Sequence, residues 1–305
     1  MTLRVGLLGT GYWAAETQGA ALAQHHEVTF VGVWGRDSAK TGALAERYGV
    51  GAYDDVDALI ADVDVVAIAL PPDVQAELAL RAAAAGRHLL LDKPLALSPL
   101  AAERIVAEVE RRQVASVIFF TNRFCDNVET LLTEATHEGN WDGAQATMFA
   151  SIFHPGNPFG VSPWRREKGG LWDIGPHALS VLLPVLGPVT EVSAMDAPRD
   201  TVHVLARHNS GAVSTLSLTL DAAPAATRSQ FLFHGSGGLL PVPDGDRDPV
   251  AAFEVAVGQL VHNVGQATIN HPCDVRFGRE VVAILDAADT ARREGRTVRV
   301  AGLGR

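Results

Sequence analysis

Gly9-Thr10-Gly11-Tyr12-Trp13-Ala14 follows a short β-branched and leucine run, Leu3–Leu8, and opens a helical stretch, Ala14–Gln24. The six residues fit G-x-G-x-x-G/A, a pattern that is weak alone and meaningful between a strand and a helix. In that setting the first glycine permits a tight turn and the second lets backbone approach a pyrophosphate. The alanine allows helix and strand to pack closely, and the helix N-terminus favours the anion. Gly9, Thr10, Gly11, Tyr12 and Trp13 are therefore candidate cofactor contacts. The competing reading is a glycine turn before an ordinary helix.

Outward from this turn the chain alternates. Val28–Val33, Val63–Leu70, His88–Leu91 and Val114–Phe120 read as strands, with helices at Ser38–Tyr48, Asp73–Ala85 and Pro99–Arg112 between them. Strands apolar on both faces, separated by helices, predict a doubly wound parallel sheet over residues 1–121, a Rossmann α/β domain. After Phe120 the pattern changes. Helices are expected at Asn127–Glu138, Leu171–Leu186, Phe253–Asn263 and Arg276–Glu294. Strands are expected at Ala144–Ile152, Val189–Met195, Thr201–Arg207, Ala212–Leu220 and Gln230–His234. Their hairpin-like spacing predicts a second α/β domain, residues 122–305, built on a large, mostly antiparallel sheet. Two domains also suit a length of 305 residues.

The end of the second strand discriminates cofactors. NAD binding calls for an acidic residue there, to hold the ribose 2′-hydroxyl. This chain reads Trp34-Gly35-Arg36-Asp37, with glycine where the acid is expected. A small residue followed by Arg36 leaves room and charge for a 2′-phosphate, so NADP(H) is the expected cofactor and NAD(H) the alternative. In the blander reading Arg36 is solvated and Asp37 takes the ribose.

Basic residues number 25 against 35 acidic, giving a formal charge of −10. Phosphate affinity needs clustered Lys and Arg, so a nucleic-acid partner is not expected. Only Lys40, Lys93 and Lys168 are lysines; arginine supplies the rest. Lys93 stands in Asp92-Lys93-Pro94 after the His88–Leu91 strand, where strand ends line the ligand crevice. A lysine there can hydrogen-bond a substrate oxygen and share its proton. Lys40 and Lys168, in a surface helix and a loop, carry no assignment. The second cluster is Gly169-Gly170-Leu171-Trp172-Asp173-Ile174-Gly175-Pro176-His177. Asp173 and His177, four apart, share one helix face, and a histidine beside a carboxylate is a natural proton acceptor near neutrality. A capping Asp with a packed His, or a metal pair, are the alternatives; no third ligand is visible for a metal, and none is expected. The two cysteines, Cys125 and Cys273, form no framework. No stretch approaches the ~20 apolar residues of a membrane span. Without a signal-like N-terminus, the chain reads as soluble and cytoplasmic.

Together these motifs resemble the glucose–fructose oxidoreductase/inositol dehydrogenase/MocA family over nearly the whole chain. Leu70-Pro71-Pro72 is similar to the family's loop after the fourth strand, and Asp92-Lys93-Pro94 to its Glu-Lys-Pro motif. Asn122-Arg123-Phe124 is similar to the segment entering the second domain. Trp164-Arg165 with Gly169-Gly170, Asp173 and His177 resembles its substrate-side signature, and His234–Leu239 its late Gly-rich turn.

The resemblance implies NAD(P)-linked hydride transfer to or from a secondary alcohol or ketone of a sugar, sugar derivative or cyclitol. Carried over, His177 is the acid/base, Lys93 polarises the reacting oxygen, and Asp173 holds substrate hydroxyls or the histidine. Leu70, Pro71, Trp164 and Arg165 border the cofactor, and Arg123 the substrate. The open sheet of the second domain is implied as the contact of a homodimer or homotetramer. Two departures stand out: Asp92 replaces the family's Glu, and Ser180 stands where a second Asp is frequent. A non-catalytic NAD(P) sensor on the same scaffold is the alternative function, although a sensor has no need of Lys93 and His177 together.

Overall fold

The computed structural model describes residues 2–301, which form two compact units. The first contains the chain through Phe124 and also Arg247–Arg279; the second contains Cys125–Asp246 and the chain from Glu280 onward.

In the first unit, β1 (Leu3–Leu8), α1 (Ala20–Gln24), β2 (Val28–Trp34), α2 (Ser38–Tyr48), β3 (Gly51–Tyr53), α3 (Val56–Asp62), β4 (Val65–Ile68), α4 (Pro72–Ala84), β5 (His88–Asp92), α5 (Pro99–Arg112) and β6 (Ser116–Phe119) follow in order. The six strands form one sheet in the order β3-β2-β1-β4-β5-β6, every pair parallel. β4 and β6 are buried at every position, as strands covered on both faces must be. The order reverses between β1 and β4. Ligands bind beyond the carboxyl ends of strands at such a switch point, and Gly9, Ala69 and Lys93 follow β1, β4 and β5 there. β3 and α3 carry no signal in the sequence: an exposed three-residue edge strand has too few positions to show a period.

The helix expected as Ala14–Gln24 is divided. Ala14–Gly19 is a π-helical turn, and α1 follows it. The Tyr48 hydroxyl donates to the Ala15 carbonyl at 2.5 Å, satisfying a backbone group within the widened turn. Such π-turns occur often at functional sites.

The second unit runs α6 (Asp126–Glu138), β7 (Trp141–Phe149), α7 (Pro163–Asp173), α8 (Gly175–Leu186), β8 (Val189–Ala197), β9 (Thr201–His208), β10 (Val213–Thr219), β11 (Arg228–Gly235) and β12 (Gly238–Pro241). α9 (Pro249–Gly265), α10 (Val275–Glu294) and β13 (Val298–Arg299) close the chain. The sheet order is β12-β11-β7-β10-β9-β8-β13. β7 and β10 pair in parallel and the other neighbours are antiparallel. One face buries Val202, Val204, Leu216, Leu218, Phe231 and Phe233. On the other, Ser193, Leu205, Thr215, Gln145 and Leu232 align in one cross-strand row, with Leu205 50% and Met195 73% exposed.

The second unit does not take all of 122–305. Arg247–Arg279 belongs to the first unit. α9 packs on α1, β5 and β6; Phe253 meets Phe119 edge-on at 5.0 Å, and Phe277 meets Phe120 at 5.4 Å. Phe119, Phe120 and Phe124 need apolar cover, and helical periodicity does not reveal which domain a helix will cover. No helix among the described residues is long and apolar enough to cross a membrane, and both cysteines are buried.

Candidate active site

The first unit carries the cofactor-side residues. Gly9 has φ +136°, and a Cβ there would lie 2.5 Å from the Ala69 carbonyl. Only glycine therefore lets β1 turn this close to β4. A Cβ added at Gly11 would meet no atom within 4 Å, so the backbone there is open to a ligand. Ala14 is fully buried beneath this turn, and Ala15 N donates to Gly11 O at 2.9 Å. A tight turn, an open backbone and a small buried residue fit a pyrophosphate. Tyr12 is half-exposed, and the Trp13 ring lies 6.3 Å from Phe119.

At the end of β2, Gly35 leaves no room for a side chain: a Cβ would fall 2.6 Å from Thr10 Cγ2 and 3.1 Å from Thr41 Oγ1. Asp37 is the N-cap of α2, its carboxylate accepting from Lys40 N at 3.1 Å. Thr41 Oγ1 donates to Asp37 O at 2.9 Å. Position 35 thus cannot hold an acid, and Asp37 already serves its helix. Arg36, between them, is exposed.

Lys93 sits in a turn that is held from below. Gln75, 1% exposed on α4, accepts from Asp92 N at 2.9 Å. Its Nε2 donates to Asp92 O at 2.7 Å and to Pro94 O at 3.0 Å. One amide side chain therefore clamps the backbone on both sides of Lys93. Asp92 Oδ1 accepts from Lys93 N at 2.8 Å, and buried Gln18 reaches Asp92 Oδ2 at 3.5 Å. The Lys93–Pro94 peptide is cis. Sequence reasoning missed Gln75 and Gln18. The available signal was a polar residue on an apolar helix face, since Gln75 shares the buried side of α4 with Ala79, Ala82 and Ala83. Pro71 is at the N-cap position of α4, with Leu70 before it, two residues past the end of β4. Arg123, 6% exposed, lies in the 3-10 turn Thr121–Phe124.

The second unit carries the remaining residues. The helix expected over Leu171–Leu186 is two helices, α7 ending at Asp173 and α8 starting at Gly175. α7 itself breaks at Gly169 (φ 65°, ψ −165°), and Lys168, expected in a loop, lies within it. The break brings Arg165 back onto Asp173: Nε donates to Oδ2 at 3.0 Å, with the Asp173 side chain 8% exposed. The Arg165 guanidinium also lies 5.0 Å from the Trp164 ring centroid and 5.4 Å from that of Phe159, so an expected cofactor neighbour is a partner of the carboxylate. His177 is in the first turn of α8, beside Pro176, where proline is tolerated. Ser180 is buried and its hydroxyl donates to His177 O at 2.8 Å.

Comparison with known proteins agrees with these features. A family described as "Oxidoreductase family, NAD-binding Rossmann fold" matches residues 3–120, and "GFO/IDH/MocA C-terminal domain" matches residues 140–240. The dTDP-3,4-didehydro-2,6-dideoxy-alpha-D-glucose 3-reductase of Streptomyces antibioticus is 30% identical over 249 residues, covering 78% of this chain and 74% of the relative. D-xylose 1-dehydrogenase (NADP(+)) 2 of Haloferax volcanii is 28% identical, covering 97% and 90%. Among solved structures, levoglucosan dehydrogenase in complex with NADH and levoglucosan superposes with a TM-score of 0.86 at 20% identity, covering 99% of this chain and all of that one. The chain belongs to the GFO/IDH/MocA family and is an oxidoreductase with an NAD-binding Rossmann fold.

Proposed function

We propose that this oxidoreductase transfers a hydride between NADP(H) and a secondary alcohol or ketone of a sugar, sugar derivative or cyclitol. The observation that carries the reading is the Asp92-Lys93-Pro94 turn, clamped by Gln75 at the carboxyl edge of the sheet that also forms the dinucleotide cradle. When bound, the nicotinamide supplies the hydride acceptor or donor. The protein handles position and protons. Lys93 donates a hydrogen bond to the reacting oxygen, and His177 accepts or returns its proton. Asp173, fixed by Arg165, orients substrate hydroxyls, and Arg123 borders the substrate. The sugar-directed names of the relatives support this substrate class.

Preference for NADP(H) is supported by Arg36 next to the sterically closed Gly35, and by the capping duty of Asp37. The exposed sheet face bearing Met195 and Leu205 suits a homodimer or homotetramer.

The test is a panel of sugars and cyclitols with NADP+ and NAD+, followed by absorbance of the reduced cofactor. Turnover with at least one polyol is expected. Lys93→Ala and His177→Ala should each reduce it by roughly 10²–10⁴-fold while the fold is retained. Full turnover in either variant would remove that residue from the chemistry. No turnover with any polyol would overturn the substrate class.

A further inference from the structure

The hairpin joining β8 to β9 is built against its own sequence. Thr201 N donates to Pro198 O at 3.3 Å, so Arg199 and Asp200 are the two central residues of the turn. Both have positive φ, 60° and 55°. Ala197 pairs with Thr201, so Pro198, Arg199 and Asp200 form a three-residue loop, and the left-handed position in such loops favours glycine. Arg199 is not a residue that favours left-handed backbone, and Asp200 tolerates it less well than glycine. A residue that breaks local turn chemistry marks a site where something beyond the turn is gained.

What Asp200 gains is tertiary. Its Oδ2 accepts from Gly170 N at 3.0 Å. The hairpin is tied in place beside it, because Thr219 Oγ1 donates to Arg199 O at 2.5 Å. Gly170 opens the last turn of α7, whose amides need acceptors after the break at Gly169. Asp200 Oδ1 also occupies the space a Cβ on Gly169 would need, so the carboxylate and the left-handed glycine fit as a pair. The turn beyond Gly170 ends at Asp173, and the Arg165–Asp173 bond spans the break. Asp200 lines a cleft of about 280 Å³ with Asp196, Lys168 and Arg292. The Arg292 guanidinium is already bonded to Asp289 at 2.6 Å and to Asp196 at 3.2 Å. The role left to Asp200 is the bond to the Gly170 amide.

We infer that Asp200 is a positioning residue, a cap supplied from another hairpin that holds the turn Gly170–Asp173 and thereby sets the Arg165–Asp173 pair for substrate. This rests on the reading of Asp173 as a substrate-orienting group. Asp200→Gly and Asp200→Asn separate the roles. Glycine suits the hairpin better than aspartate but cannot cap; asparagine tolerates positive φ and keeps an acceptor oxygen.

Amide hydrogen exchange is measured for the segment 169–177, together with kinetics on the sugar panel using NADP+. Asp200→Gly is expected to raise exchange in this segment at least tenfold and to lower kcat about a hundredfold, the scale of a 1 Å misplacement. KM for NADP+ should stay unchanged, since the dinucleotide cradle lies in the first unit. Asp200→Asn is expected to restore both readouts to within a few-fold of the parent. Parent-like exchange in Asp200→Gly overturns the inference, as does an Asp200→Asn variant as impaired as the glycine one. If Asp173→Asn loses turnover while Asp200→Gly keeps it, the positioning role alone fails. If Asp173→Asn keeps full turnover, the underlying reading of Asp173 fails instead.

Discussion

Replacing Gln75 with leucine tests whether the Asp92-Lys93-Pro94 turn is held by one buried side chain. The substitution nearly conserves volume, so it isolates the polar contribution from a cavity. It removes three hydrogen bonds, to Asp92 N, Asp92 O and Pro94 O, at 2.9, 2.7 and 3.0 Å. At about 1 kcal/mol net each, the loss is about 3 kcal/mol. The backbone partners stay where they are, and Gln75 is 1% exposed, so little water reaches the orphaned groups and the true cost lies at or above that figure. With about 2–4 °C of Tm per kcal/mol for a domain of 150–250 residues, the expected drop is roughly 6–12 °C. Differential scanning calorimetry measures it, and kinetics on the same samples should show kcat falling more than KM for NADP+, because Lys93 loses its fixed backbone. Gln75→Glu sharpens the test: it keeps the acceptor for Asp92 N but turns a carboxylate oxygen toward two carbonyls, so it should be at least as damaging as leucine. A Gln75→Leu protein that melts within a degree or two of the parent, with parental kcat, would refute the clamp.

Arg36→Ala should weaken NADP+ binding about tenfold while changing NAD+ binding less than twofold, measured by fluorescence titration of both cofactors; an equal effect on both would remove the 2′-phosphate role. Burial holds the titrations of His25, His88 and His208 below the ordinary value of 6.5. The unfolded chain therefore takes up their protons first, and stability present above pH 6.5 is lost as the pH falls below it. His208 packs between Gly187 O and Ser214 Oγ at 2.6 and 2.8 Å. A His208→Gln variant should show a shallower fall of Tm between about pH 7 and pH 5 than the parent. On the proposed oligomer contact, Leu205→Glu should lower the mass seen in light scattering to that of a monomer, because it places charge in the middle of the exposed cross-strand row, and a parent that is itself monomeric would overturn the contact.

The residues that could be read from sequence are those whose chemistry is local. Gly9, Gly11 and Ala14 act through their own backbone and their own small size, so a strand–turn–helix context suffices to find them. β1, β4, β5 and β6 are legible for a related reason, since strands buried on both faces need apolar residues at successive positions. Where the structure departs from expectation, a distant partner decides. Gln75 clamps a turn 17 residues away, Asp200 caps an amide 30 residues away, and Phe119 draws α9 back to the first unit from beyond the second sheet. None of these partners leaves a periodic trace. Two of them do leave a contradiction: a glutamine on the apolar face of α4, and an arginine–aspartate pair at the centre of a tight hairpin. Such local misfits carry information about tertiary contacts that matching motifs cannot carry, because a residue that suits its own helix or turn needs no distant partner to explain it. In this chain both misfits lead to the backbone that carries Lys93 or Asp173. The groups assigned to proton handling and substrate orientation thus stand on supports that a motif search would pass over, and those supports are where substitution should separate positioning from chemistry.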